Sequence, residues 1–146
     1  MSAAEKRISA DKTERISPRE RILAAASDLF YRHRIRAVGV EAIAEAAETN
    51  KMTLYRHFSS KDELVAGYLR RLAEKATLAW DRLEADHPGH PSAQLRAWLK
   101  DMAAHVASGD ERGCPLANAA VELPDKDHPA RRVIEEFKTA QRERLI

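Results

Sequence analysis

Apolar residues recur at intervals of three and four along most of this chain, and polar residues fill the positions between them. The first clear run is Ile22, Leu23, Ala26, Leu29 and Phe30, a stripe on one face of a helix that reaches about Arg32. Ser17-Pro18-Arg19-Glu20 marks its start: a serine whose hydroxyl can accept from a free amide, proline where no amide is needed, and glutamate three positions after the cap. A second, short helix carries Val40, Ile43, Ala44 and Ala47 on one face. After a break at Glu48-Thr49-Asn50, a third covers about Lys51 to Phe58, with Leu54 and Phe58 inward. Ser60-Lys61-Asp62-Glu63 repeats the capping pattern and opens a long helix with Leu64, Val65, Tyr68, Leu69, Leu72, Ala76, Trp80 and Leu83 in register.

His87-Pro88-Gly89-His90-Pro91 breaks that helix. Three more are predicted beyond it. The first, about 92–108, places Leu95, Trp98, Leu99, Met102 and Val106 inward. The next, about 113–122, is rich in small residues, and the last begins near Pro129 with Val133, Phe137 and Ala140 in register. The expected fold is all-α. Residues 1–16 read as a flexible basic arm, 17–64 as a three-helix bundle containing a helix-turn-helix, and 65–146 as a further helical region.

Composition sharpens this picture. Charged residues reach 33% and apolar residues 44% of the 146 positions, with aromatics at 5% and only five glycines. That balance suits helices with wet, charged outer faces and lacks the turn and strand signals of an all-β fold. Net charge is only +2, yet residues 1–36 hold nine Lys/Arg against five Asp/Glu, whereas 85–146 hold nine against ten. A basic end on a near-neutral body is the asymmetry of a protein that meets phosphates at that end. Cys114 stands alone, so no intrachain disulfide can form, and a reducing cytoplasm is the expected setting. No apolar run reaches the roughly 18–20 residues of a membrane span, so no membrane partner is expected.

The chemistry concentrates in the third helix. A recognition helix must anchor one face in its bundle and present the other to the major groove. In Thr53-Leu54-Tyr55-Arg56-His57-Phe58, the apolar pair Leu54 and Phe58 anchors, and Thr53, Tyr55, Arg56 and His57 remain for DNA. Arg56 can donate two parallel hydrogen bonds to a guanine edge, and Tyr55 can reach a phosphate or a thymine methyl. Thr53 and His57 suit phosphates, and Lys51 is a further candidate for readout. Lys61, at the capped start of the next helix, sets a cation and free amides near one phosphate.

The stretch from Ser17 to Leu69 resembles the TetR/AcrR transcriptional repressors. Its densest parts are Val40-Glu41-Ala42-Ile43-Ala44-Glu45-Ala46-Ala47 and the block from Met52 to Leu64, in which cap, core and contact positions fall in register together. The resemblance implies DNA contact at Thr53, Tyr55, Arg56, His57 and Lys61, a homodimer on a palindromic double-stranded operator, and a regulatory role for 65–146, in dimerisation and in a pocket for a small-molecule effector. It implies no cofactor and no catalysis. Two positions depart from the family pattern: Arg34 and Glu48 stand where glycine is usual. A non-glycine residue in a left-handed turn costs on the order of 1 kcal/mol, and the turns are expected to survive it. Glu48 also brings negative charge toward the DNA-facing helix. Family members continue for some tens of residues past Ile146, so the C-terminal region is expected to be truncated relative to them.

Other residues invite functional readings beside plainer ones. Trp80, Trp98, Met102, Cys114 and Phe137 are candidates for an effector pocket, against a simple apolar core. Cys114 near Arg112 suits a redox sensor, against a small buried apolar residue, which is the expectation. Gly113 to Ala120 resembles a segment found in a subset of these regulators. His87, His90, His105 and His128 lack a cysteine or carboxylate cluster and read as loop and cap histidines, so no metal site is expected. A Cys114–His105 hydrolase that keeps the helix-turn-helix as a scaffold would need an orienting acid and an oxyanion site, and neither is evident. A truncated remnant unable to hold operator tightly is the other alternative.

Overall fold

The computed structural model describes residues 16–109 and 112–146. The first fifteen positions, nearly all of the expected basic arm, lie outside the described residues. Seven helices and no strands are present among the described residues: α1 (Pro18–His33), α2 (Val40–Ala46), α3 (Lys51–His57), α4 (Lys61–Asp86), α5 (Pro91–Ala107), α6 (Pro115–Glu122) and α7 (Pro129–Leu145). The chain divides into two compact units after Leu64.

In the first unit, Ser17 caps α1 by accepting the Glu20 N–H at 3.2 Å, with Pro18 in the first turn. The stripe then buries Ile22, Leu23, Ala26 and Phe30, and α1 packs against both α2 and α3, which also pack on each other. Arg34 ends α1 with φ 69° and ψ 155°. Ile35 and Val38 are buried in the turn that follows. Helix α2 contributes Val40, Ile43 and Ala44 to the core. It closes in a double hydrogen-bonded turn, with Glu48 N–H donating to Glu45 O at 3.0 Å and Thr49 N–H to Ala44 O at 2.9 Å. That pairing satisfies two otherwise free carbonyls and demands a left-handed residue in between. Glu48 supplies it at φ 54°. Both non-glycine turns therefore form as expected, and Arg21 braces the second by donating from Nε to Ala47 O at 3.2 Å. Ile22, Ile43, Leu54 and Leu64 lose all their exposure in this unit; burying side chains of this size stabilises by about 1.5–3 kcal/mol each.

In the second unit, α4 buries Val65, Ala66, Tyr68 and Leu69 and is more exposed beyond them. Trp80 on α4 meets Trp98 on α5, with ring centroids 5.4 Å apart and planes tilted by 60°, a favourable arrangement for two aromatic rings. The loop between these helices turns at Gly89 (φ 73°), and Gln94 Nε2 donates to His87 O at 2.9 Å across it. Helices α6 and α7 pack together through Leu116, Ala119, Ala130, Val133 and Ile134. Arg131 Nη1 donates to Ala120 O at 2.8 Å at that contact. Near the end of α7, Arg144 reaches α4, with Asp81 at 2.6 Å and Glu84 at 3.3 Å.

One expectation fails on α5. Leu95, Leu99, Met102 and Val106 are 43–68% exposed, and no residue of the helix is buried. The half-buried positions are Ala93, Gln94, Ala97 and Trp98. At 100° per residue these lie on nearly the opposite side from the leucine stripe. The helix thus has two apolar faces, and Trp98 belongs to the covered one. Periodicity reports that a face is apolar; it does not report which face a neighbour covers. Cys114 also departs from expectation: it is exposed, at the cap position of α6.

Candidate nucleic-acid interface

A seven-residue helix needs outside help to hold its shape, and α3 receives it at both ends. Asn50 caps it, Oδ1 accepting the Thr53 N–H at 2.9 Å. Leu54, fully buried, and Phe58, 5% exposed, fix its inner face as the spacing predicts. The Arg19 guanidinium lies 5.0 Å from the centre of the Phe58 ring, a cation–π contact at the helix end. Ser60 accepts the Glu63 N–H at 3.1 Å and caps α4.

The expected contact residues all come from this short stretch. Lys51, Tyr55, Arg56 and His57 are exposed on α3, Thr53 is half-buried beside them, and Lys61 is half-buried in the first position of α4. Hydroxyl, phenol, guanidinium, imidazole and ammonium groups are thus gathered within eleven residues, around a helix whose opposite side is apolar. Met52, 69% exposed, adds an apolar group able to meet a thymine methyl. The sequence expectations do not include Met52, although its place off the Leu54–Phe58 face is a usable sign. The sequence pattern marks Asn50 only as part of a break, and the structure makes it the cap of α3.

The third residue missed is Glu41, on the first turn of α2. Its Oε1 lies 2.6 Å from Lys51 Nζ. The carboxyl is held below its usual range, first by the hydrogen bond from Lys51 and then by its own backbone N–H. The Lys51 ammonium is held above its usual range, chiefly by the same hydrogen bond and charge. No helical period relates positions ten apart on different helices, so nothing in the sequence pattern announces this pair.

The candidate pocket residues are only partly assembled. Trp80 and Trp98 meet; Met102 sits on the exposed stripe of α5, Cys114 is exposed, and Phe137 is half-buried with Lys138 Nζ 5.7 Å from its ring centre. His128 acts as a cap, Nδ1 accepting the Ala130 N–H at 3.0 Å at the start of α7. Among the described residues no helix is long and apolar enough to cross a membrane.

Comparison with known proteins agrees with this geometry. The model of the bacterial regulatory proteins of the tetR family matches residues 22–68. The transcriptional activator FasR of Mycolicibacterium smegmatis is 43% identical over 53 residues, 36% of this chain and 24% of FasR. A TetR-type regulator of Streptomyces avermitilis, sav143, superposes with a TM-score of 0.76 at 34% identity, over 88% of this chain and 69% of its own. SCO4454, a TetR-family regulator of Streptomyces coelicolor, superposes with a TM-score of 0.78 at 32% identity, over 84% of this chain and 64% of its own. The match to FasR spans about a quarter of that protein's length.

Proposed function

Because the chain belongs to the TetR family of transcriptional regulators, we propose that it is a ligand-responsive repressor that binds a palindromic operator as a homodimer. The observation that carries this reading is α3, with Leu54 and Phe58 buried and Tyr55, Arg56 and His57 turned outward beside Thr53 and Lys61. In this reading Arg56 reads a guanine edge, while Tyr55, Thr53, His57 and Lys61 hold phosphates. A dimer sets two such helices about 34–36 Å apart, in successive major grooves.

The exposed stripe of Leu95, Leu99, Met102 and Val106 supports an assembly in which another surface covers it, because a contiguous apolar face is costly in water. The Trp80–Trp98 pair offers flat apolar surface for an effector. An effector that binds better to a form with different recognition-helix spacing lowers the operator-competent population. The test is selection of bound duplexes from a random-sequence pool, followed by titration and solution sizing. An inverted repeat, a two-protomer complex and loss of discrimination in Arg56→Ala are expected. A folded chain that binds no duplex at low salt would overturn the reading. A promoter fused to a reporter fixes the sign of regulation, and rising transcription would place the protein with activators such as FasR.

A further inference from the structure

The Glu41–Lys51 pair has no evident stabilising purpose. Both side chains are mostly exposed, at 69% and 53%, and exposed pairs add little to stability. Yet the pair is well built. The Glu41 carboxylate accepts its own backbone N–H, and it folds back until Oε2 would lie 3.2 Å from a Cβ placed on Gly39. The acceptor therefore sits over the start of α2, where a negative charge is favoured by the helix dipole. Lys51, on the helix proposed to face DNA, is the long and adaptable partner.

We propose that Glu41 is a specificity-determining residue, which cancels Lys51 as a phosphate cation and so lowers affinity for DNA of any sequence. This rests on the reading of α3 as the DNA-facing helix. Glu41 acts through Lys51 alone. If Lys51 stays on Glu41, it displaces no counterion from DNA. Held in this way, the pair adds close to zero to the net counterion release that drives non-specific binding, and Lys51 freed from Glu41 reaches a phosphate. Discrimination then falls to groups such as Arg56, whose contacts depend on sequence.

The experiment is a double-mutant cycle on the full chain, read as the salt dependence of binding to a mixed-sequence duplex of about 30 base pairs. One additional neutralised phosphate steepens the slope of log K against log salt by about 0.9, which is about eight-fold in affinity at 0.1 M salt. Glu41→Gln, and equally Glu41→Ala, is expected to steepen the slope by about that amount when Lys51 is present. With Lys51→Gln also present, the same change is expected to leave the slope unaltered. Equal steepening in both backgrounds would make Glu41 a general repulsive charge and overturn the proposal, as would no steepening in either. Arg56→Ala and Lys61→Ala separate the role of Glu41 from the reading of α3. If neither weakens binding, the reading of α3 is wrong; if both do and the cycle shows no coupling, only the role of Glu41 falls.

Discussion

Replacing Arg34 with glycine measures the strain held in the turn after α1. Arg34 has φ 69° and ψ 155°, a region in which Cβ crowds the backbone and which is almost the preserve of glycine. Keeping a residue with Cβ there costs about 1–3 kcal/mol. Glycine relieves that cost but adds freedom to the unfolded chain, which offsets roughly 0.5–1 kcal/mol. The side chain is exposed, so deleting it removes little packing. The expected net gain is about 0.5–2 kcal/mol. Arg34→Ala is the control, because alanine keeps the Cβ and should stay within about 0.5 kcal/mol of the parent. Urea titrations of the three chains, followed by helical circular dichroism, read the difference as a shift in midpoint at constant slope. A higher midpoint for glycine alone is the expected result. A glycine midpoint equal to or below that of alanine would refute the strain argument.

Glu48→Gly acts on the matching turn after α2 and should raise stability by about 1 kcal/mol, while tightening duplex binding because it removes a negative charge near α3; both are read on one preparation by melt and titration. Leu54→Ala and Phe58→Ala should each cost about 2–5 kcal/mol, and melts unchanged by both would mean that the faces of α3 are reversed. Arg56→Lys and Arg56→Ala should each lose about 1–3 kcal/mol on the operator and relax discrimination at one base pair per half-site; equal loss on every sequence would reduce Arg56 to a phosphate contact. Lys61→Ala should weaken binding to all duplexes alike and flatten the salt slope by roughly one counterion, which a titration at several salt concentrations checks.

The parts legible in the sequence are those governed by neighbours along the chain. Ser17 and Ser60 could be read as caps because a cap and the amide it satisfies are three residues apart. Leu54 and Phe58 could be placed inward because a helix repeats every 3.6 residues. Arg34 and Glu48 were recognisable as left-handed by the glycine that the family pattern has there, and both take positive φ. The misplacements concern what meets across space. Trp98 and Leu99 are adjacent and apolar, yet Trp98 meets a ring on α4 while Leu99 is 49% exposed. Glu41 and Lys51 look like two solvated charges until the helix-turn-helix brings them to 2.6 Å. Cys114 was expected inside on the habit of its residue type, but its cap position between a glycine and a proline leaves it exposed.

Seven residues make α3 too short to persist alone, since isolated helices below about 12–15 residues are marginal in water. Its shape is on loan from Leu54, Phe58 and the Asn50 cap. The hydrogen-bonded amide protons of α3, such as that of Leu54, should therefore exchange with solvent only when the bundle around it opens, and at that same opening free energy. A core substitution that touches no nucleotide then acts as a dilution: it reduces the fraction of molecules able to read DNA and raises the apparent dissociation constant in inverse proportion. Such a loss falls evenly on every duplex, so the shape of the selectivity profile, more than its height, separates a damaged scaffold from a damaged reader.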